Sequence, residues 1–238
     1  MDFLDGDKTV KKISYAASFG VDKFEGTEEE KGKVEKLIHQ FNSVSVREKS
    51  GVDLCKNLFK IDAKLTVDPT FLLGKDMYLS LCSKFPPTSK KSIVTYLLDG
   101  NKKKEALVNR LAKKRNNHVV NLYSEKMIYS SVEFWLSSIA NADYMIVDSF
   151  HGMVFSMIFE KQFVVINNPQ RGSTRFINVL EQLDLCDRCV NEDISESDFD
   201  LITSKAIDYN VISPILSNII NESKEWLYSN IEKNGTTL

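Results

Sequence analysis

Tyr144-Met145-Ile146-Val147-Asp148-Ser149-Phe150-His151-Gly152-Met153-Val154-Phe155-Ser156-Met157-Ile158-Phe159 is the stretch that decides the fold. Four apolar residues give way to a short polar turn and then to an amphipathic run. The pattern reads as a buried strand, a tight corner and a helix. Such a corner puts a carboxylate, a hydroxyl and an imidazole at the carboxyl end of a parallel strand, where open α/β sheets build ligand sites. The helix start adds backbone N–H groups and a partial positive charge, both suited to an anion. His151 falls in the first helical turn and is one of only three histidines.

The same alternation extends in both directions. Upstream, strands are expected at Lys12 to Gly20, Ser43 to Arg47 and Leu65 to Pro69, with helices at Thr27 to Phe41 and Ser50 to Phe59. Thr27 and Glu30 form a capping-box pair. Residues 74–90 hold Gly74, Pro86 and Pro87 and read as an inter-domain linker, with a short helix at Met77 to Lys84. Beyond it, strands are expected at Ser92 to Leu98, His118 to Tyr123, Tyr144 to Asp148 and Phe163 to Ile166. Helices fall at Lys102 to Arg115, Ser130 to Asn141 (capped by Ser130 with Glu133), His151 to Phe159 and Thr174 to Leu183. A polar stretch and a final helix from Ser213 to Ile231 close the chain. Strands alternating with helices predict an α/β fold, a Rossmann-like parallel sheet covered on both faces. The first part, with three strands and two helices, is thin for an independent domain.

Composition narrows the function. Apolar residues at 42% and charged residues at 27% describe an ordinary globular chain. A net charge of −2 gives no reason to expect nucleic acid. No apolar run reaches membrane-spanning length, and the acidic N-terminus lacks a signal peptide's basic and apolar regions, so a cytoplasmic location is expected. Cys186-Asp187-Arg188-Cys189 is a lone C-x-x-C without a second pair or a nearby histidine, and reads as ordinary reduced cysteine with no metal site.

Three places carry candidate chemistry. His151 is a general acid or an anion contact, since imidazole exchanges a proton near neutral pH; position alone equally allows a locally satisfied helix-start histidine. Asp148 is a base or a holder of the imidazole, or else a turn carboxylate, and Ser149 shares that alternative. In Asn167-Asn168-Pro169-Gln170-Arg171-Gly172-Ser173-Thr174-Arg175-Phe176, two arginines gather before a helix, a second anion-binding loop or a solvated one. Arg47-Glu48 ends a strand and by itself reads equally as a surface ion pair. The basic run Lys102-Lys103-Lys104, Arg110, Lys113-Lys114-Arg115 reads as a solvated helix face rather than a patch for an anionic surface.

Ser14-Tyr15-Ala16-Ala17-Ser18-Phe19-Gly20, Ser45-Val46-Arg47-Glu48, Val67-Asp68-Pro69-Thr70, Asp148-Ser149-Phe150-His151-Gly152 and the Arg175-Phe176 loop occur in this order. Together they resemble the polysaccharide pyruvyl transferase family, from Lys12 to Arg188. The resemblance implies an architecture like the two-domain glycosyltransferase-B type with a truncated first domain. Residues 1–73 would be the remainder of an N-terminal Rossmann-like domain, 74–90 the linker, and 91–238 the C-terminal domain with the donor-side site. It implies transfer of pyruvate from phosphoenolpyruvate to a sugar, as a ketal, in bacterial cell-surface polysaccharide (exopolysaccharide) biosynthesis. The partners implied are phosphoenolpyruvate and a sugar or lipid-linked glycan acceptor, with peripheral contact at the membrane face. No cofactor, metal or nucleic acid is implied, and the oligomeric state is not read.

By the same resemblance, His151 contacts phosphate and acts as general acid, with Asp148 beside it as catalytic carboxylate and Ser149 and Gly152 in the anion corner. Arg47 is a candidate for the carboxylate or phosphate from across the cleft. Arg171 is the first choice for the basic residue of the second loop and Arg175 the second. Two alternatives stand beside this reading. One is a nucleotide-sugar glycosyltransferase on the same architecture; the other is a truncated, inactive domain that binds an anion or a partner.

Overall fold

The computed structural model describes residues 10–82, 91–123, 131–168 and 174–232. The chain divides into two compact units: Met1–Leu72 with Pro214–Leu238, and Leu73–Ser213.

The first unit is built on a three-stranded parallel sheet of β1 (Ile13–Ala17), β2 (Ser43–Val46) and β3 (Lys64–Leu65), in the order β1-β2-β3. Helix α1 (Glu28–Ile38) starts on the expected capping box: Glu30 N–H donates to Thr27 Oγ1 at 3.2 Å, and Thr27 N–H to Glu30 Oε2 at 2.7 Å. Helix α2 (Lys49–Phe59) buries Gly51, Cys55 and Phe59, and Phe59 packs on the rings of Phe19 and Phe24. Strand β1 is shorter than expected and interrupted. Ala16 sits at φ 51°, a bulge that shifts the register between Ser14 and Ala17. The displaced Ala16 N–H donates instead to Ser45 Oγ at 2.8 Å. Strand β3 is only two residues, because Pro69 opens a 3-10 turn through Leu72.

The second unit opens with α3 (Lys75–Leu81) and carries β4 (Ser92–Tyr96), α4 (Lys102–Arg115), β5 (His118–Asn121), α5 (Val132–Ala140), β6 (Tyr144–Val147), α6 (Phe150–Ile158), β7 (Gln162–Ile166), α7 (Thr174–Gln182), β8 (Cys189–Val190) and α8 (Glu196–Ser204). Its five strands are all parallel, in the order β5-β4-β6-β7-β8. The chain leaves β4 outward to β5 and returns to the other side of β4 with β6. The carboxyl ends of β4 and β6 therefore flank a topological switch point. All four residues of β6 are fully buried, as a central strand covered on both faces requires. On one face Ile93, Tyr144, Ile146, Val164 and Ile166 pack with Leu107, Val108 and Leu111 of α4 and Phe199 of α8. Each such side chain contributes about 1.5–3 kcal/mol by leaving water.

Several expectations change. The segment expected as linker contains α3, whose buried Tyr78 packs edge-on against Phe155 at 4.9 Å, so this part belongs to the second unit. Lys84, Pro86 and Pro87 lie outside the described residues, as does Ser130. Helix α5 is capped by Ser131, which accepts from Phe134 N–H. The polar stretch after Cys189 holds α8 and the start of α9 (Tyr209–Glu232). The unit boundary falls on Pro214 inside α9. From there the helix packs in the first unit: Ser223 accepts from Val67 N–H at 3.1 Å, Asn230 bonds Ser43, and Trp226 lies against Tyr15. Beside the expected segments 1–73, 74–90 and 91–238, the compact units place the chain from Leu73 in the second unit and from Pro214 in the first.

The basic face of α4 is largely exposed, as expected, with Lys104 buried and Arg110 half-buried, and several of its cations are paired. Arg110 grips Asp200 of α8 through two bonds of 2.9 Å and also pairs with Glu196; Lys114 reaches Asp200 at 3.1 Å and Lys103 reaches Asp193 at 2.5 Å. At the far end of α8, Arg188 and Arg115 donate to the carbonyls of Ile202, Thr203 and Lys205, capping the helix. An acidic helix has taken up the basic one.

Glycine substitutions test this packing. A Cβ at Gly152 would lie 2.9 Å from Val147 Cγ1 and 3.3 Å from Tyr96, while a Cβ at exposed Gly32 in α1 meets nothing within 4 Å. Gly152→Ala should destabilise by about 1–3 kcal/mol, and Gly32→Ala should stabilise by about 0.5–1 kcal/mol, both read by urea denaturation. Equal effects of one sign would contradict the packing described.

Candidate functional site

Three strand-to-helix corners of the second unit meet at its carboxyl edge. After β4, the chain turns through Leu98, Asp99 and Asn101, whose side chain caps α4 by accepting from Lys103 and Lys104 N–H. After β6, Asp148 and Ser149 lead into α6. After β7, Asn167 and Asn168 lead toward α7; residues 169–173, Arg171 among them, lie outside the described residues.

The expected catalytic carboxylate has a different task. Asp148 is fully buried. Its Oδ1 accepts from Leu98 N–H at 2.6 Å; its Oδ2 accepts from Asp99 N–H at 3.2 Å and from Lys104 Nζ at 2.7 Å. Among the described residues, these are the carboxylate's partners, so it holds a lysine and a loop rather than the imidazole. Lys104 also donates to Asp99 O at 2.9 Å, and Asn168 Nδ2 donates to Asp99 Oδ2 at 2.5 Å. The network ties all three corners together. Lys104 itself was missed by sequence reasoning, which counted it into a solvated face. The signal was present: Lys104 shares helical phase with Leu107, Val108 and Leu111, the buried stripe of α4.

Ser149 is the N-cap of α6, accepting from Gly152 N–H at 3.5 Å. Gly152 is buried against Val147 and Tyr96, so its role in the corner is close approach of helix to sheet. His151, by contrast, is exposed on the first turn. Its ring lies 5.6 Å from that of buried Phe150. The same phenyl ring takes Arg175 Cζ at 5.8 Å from its centroid and the Phe176 ring at 6.2 Å. An imidazole and a guanidinium from two different corners thus both lie within 6 Å of one aromatic ring. This is an arrangement that can face an anion, with the start of α6 supplying backbone dipoles.

Arg47 lies in the first unit, at the carboxyl end of β2. It is paired with buried Asp68, which also accepts from Thr70 N–H at 3.0 Å and Thr70 Oγ1 at 2.7 Å. Glu48, 1% exposed, accepts from Phe19 N–H at 2.7 Å. The Arg-Glu pair and the Asp-Pro-Thr turn therefore build one corner together.

All four cysteines are free. Burial pushes the Cys189 thiol up to about 11. Burial also raises Cys186, and Glu181, Asp184 and Asp187 add to the shift. Thiols that keep their protons are poor ligands and poor nucleophiles. Among the described residues no group of three or more His, Cys, Asp or Glu could hold a metal. Nor is any described helix long and apolar enough to cross a membrane.

The sequence model of the polysaccharide pyruvyl transferase family matches residues 4–170, and the chain belongs to that family. Among solved structures, the glycotransferase of kitacinnamycin superposes with a TM-score of 0.50 at 9% identity, over 83% of this chain and 57% of that one. The wall teichoic acid polymerase TagF aligns with a TM-score of 0.45 at 10% identity, over 90% of this chain and 65% of that one. The chain spans less than two thirds of the length of either. At such identity the first likeness speaks for the glycosyltransferase-like α/β fold alone. No curated protein matches the sequence.

Two outcomes follow from this geometry. Asp148→Ala leaves a buried ammonium and two loop N–H groups without their acceptor, and should cost about 3–5 kcal/mol in urea denaturation; a loss under about 1 kcal/mol would contradict the clamp. Iodoacetamide should alkylate exposed Cys186 ahead of Cys189 and Cys55, more slowly at pH 7.5 than an ordinary thiol and faster as pH rises, since a raised thiol ionises at higher pH than an ordinary one. Peptide mapping of the alkylated protein reads both the order and the pH profile.

Proposed function

We propose that this chain carries the donor-binding half of a pyruvyl transfer from phosphoenolpyruvate to a sugar, forming a ketal in the biosynthesis of a bacterial cell-surface polysaccharide. The observation that carries the reading is the exposed His151 on the first turn of α6, at the switch point between β4 and β6, with Arg175 Cζ 5.8 Å from the centroid of the neighbouring Phe150 ring. Family membership supplies the substrate class, and the corner supplies groups of the right kind.

Phosphoenolpyruvate is an anion with a phosphate and a carboxylate. The start of α6 offers dipoles to one of them, and the Arg175 guanidinium a planar cation. Arg171, the first choice from the sequence, lies outside the described residues and is the other candidate cation of that loop. His151 gives a proton to the methylene carbon of the donor, which leaves a cationic carbon stabilised by its neighbouring oxygen. One sugar hydroxyl forms a C–O bond to that carbon and gives up its proton, which restores the proton that His151 donated. The second hydroxyl forms another C–O bond there as the bond to phosphate oxygen breaks, and its proton leaves with inorganic phosphate. Pyruvate ends as a methyl- and carboxylate-bearing ketal carbon on two sugar oxygens. Buried Asp148 touches none of the reacting atoms in this scheme; its contribution is the shape of the corner. A cytoplasmic location goes with the reading, and four free cysteines support a reducing compartment. A sugar or lipid-linked glycan is the acceptor we propose.

Protein incubated with phosphoenolpyruvate and a glycan acceptor should release inorganic phosphate in step with acceptor pyruvylation. His151→Ala should lower kcat/KM by about 10²- to 10⁴-fold. Turnover by the alanine variant at the unmodified rate would remove His151 from the chemistry. Thermal stabilisation by a nucleoside diphosphate but not by phosphoenolpyruvate would favour glycosyl transfer instead.

A further inference from the structure

Lys104 is a costly residue to keep. Its ammonium is buried, 4% exposed, and sits in the first turn of α4, where the helix dipole disfavours a cation. Buried ion pairs seldom stabilise more than apolar replacements of the same shape. Stability alone does not account for this pair, so its place in the corner is the better guide.

Asp148 immediately precedes Ser149, the N-cap of α6. An uncompensated carboxylate there would cancel the positive end of α6 and repel an anionic donor at His151. Lys104 Nζ, at 2.7 Å, removes that charge. The same ammonium donates to Asp99 O and shares Asp148 with Leu98 and Asp99 N–H, so it joins the β4 and β6 corners across the switch point. We propose that Lys104 is a positioning residue for the transfer: it neutralises Asp148 and locks the two corners, so that the start of α6 presents His151 to an anionic donor with its positive potential intact. The inference rests on the pyruvyl-transfer reading for the identity of the donor, but not for the charge argument.

The test is a double-mutant series of Lys104→Met, Asp148→Asn and the two combined, with exposed Lys102→Met as control. Stability is measured beside kcat and KM for phosphoenolpyruvate. Lys104→Met should raise KM by about tenfold or more, because like charges face each other across the corner. The combined variant, again neutral at this point, should regain most of the lost stability and bring KM to within about threefold of the unmodified protein. Lys102→Met should change neither. A Lys104→Met protein with unchanged KM overturns the proposal; so does a combined variant that regains stability while KM stays raised. Should Lys104→Met fail to fold, the combined variant decides alone by the same KM criterion. If the unmodified protein turns over no phosphoenolpyruvate, the pyruvyl-transfer reading fails, and the series is read instead as affinity for inorganic phosphate by calorimetry. There the same pattern of loss and recovery supports the proposal, and no phosphate binding by the unmodified protein overturns it.

Discussion

The carboxyl edge of the second unit's sheet is organised by one buried contact, the Lys104–Asp148 ion pair. Parallel strands order themselves through burial, and β6 with its four apolar residues does so here. Burial does not order the corners, because backbone N–H groups that leave a strand need acceptors. Asp148 supplies acceptors for Leu98 and Asp99, two and three residues beyond the end of β4. Its own charge then needs a partner, and α4 delivers Lys104 from the helix that follows that loop. Strand, loop and helix each answer a need created by the one before.

The first unit uses the same device with different residues. Glu48, like Asp148, comes just after the middle strand of its sheet and accepts a backbone N–H from the loop after a neighbouring strand, here Phe19. The cation differs. In the second unit a lysine neutralises the clamping carboxylate; in the first, Arg47 pairs with Asp68 of the next corner, and Glu48 Oε2 has no hydrogen-bond partner among the described residues. The Ala16 bulge adjoins this corner and diverts its N–H to Ser45 Oγ. Two units of one architecture thus bring their strand-end polar groups to balance in different ways, the second being the more completely satisfied.

Much of the fold was legible because it rests on local pattern. Helix α4 runs from Lys102 to Arg115 as expected, since Asn101 caps its start and Leu107, Val108 and Leu111 mark one face. The run from Tyr144 to Val147 was legible as a strand because four apolar residues bounded by a polar turn are too short for a helix and suit a covered strand. What escaped was set by tertiary contact. Helix α8 read as a polar stretch because Phe199 and Thr203 alone of its side chains are fully buried, and its acidic face is held by Arg110. Strand β3 was overestimated because Val67 N–H goes to Ser223, more than 150 residues away, instead of to a ladder. The bulge at Ala16 has no local signal, since alanine is a residue that seldom takes a positive φ.

The candidate site follows the same division. His151 and Arg175 were recognisable from position, as residues opening helices after strands. Asp148 was recognisable as important, but its partners, two loop N–H groups and Lys104, were not. A carboxylate at a strand end can serve substrate or structure, and what separates the two is where its counter-charge lies. For Asp148 that charge comes from a lysine 44 residues earlier, turned inward by the phase of its helix. Helical phase makes the inward turn readable, but nothing local says which carboxylate it will meet. Once the pair is formed, Asp148 and Lys104 are both spent on each other and on the loop. In the proposed transfer, the exposed side chain of the turn, His151, is the one not committed to that clamp.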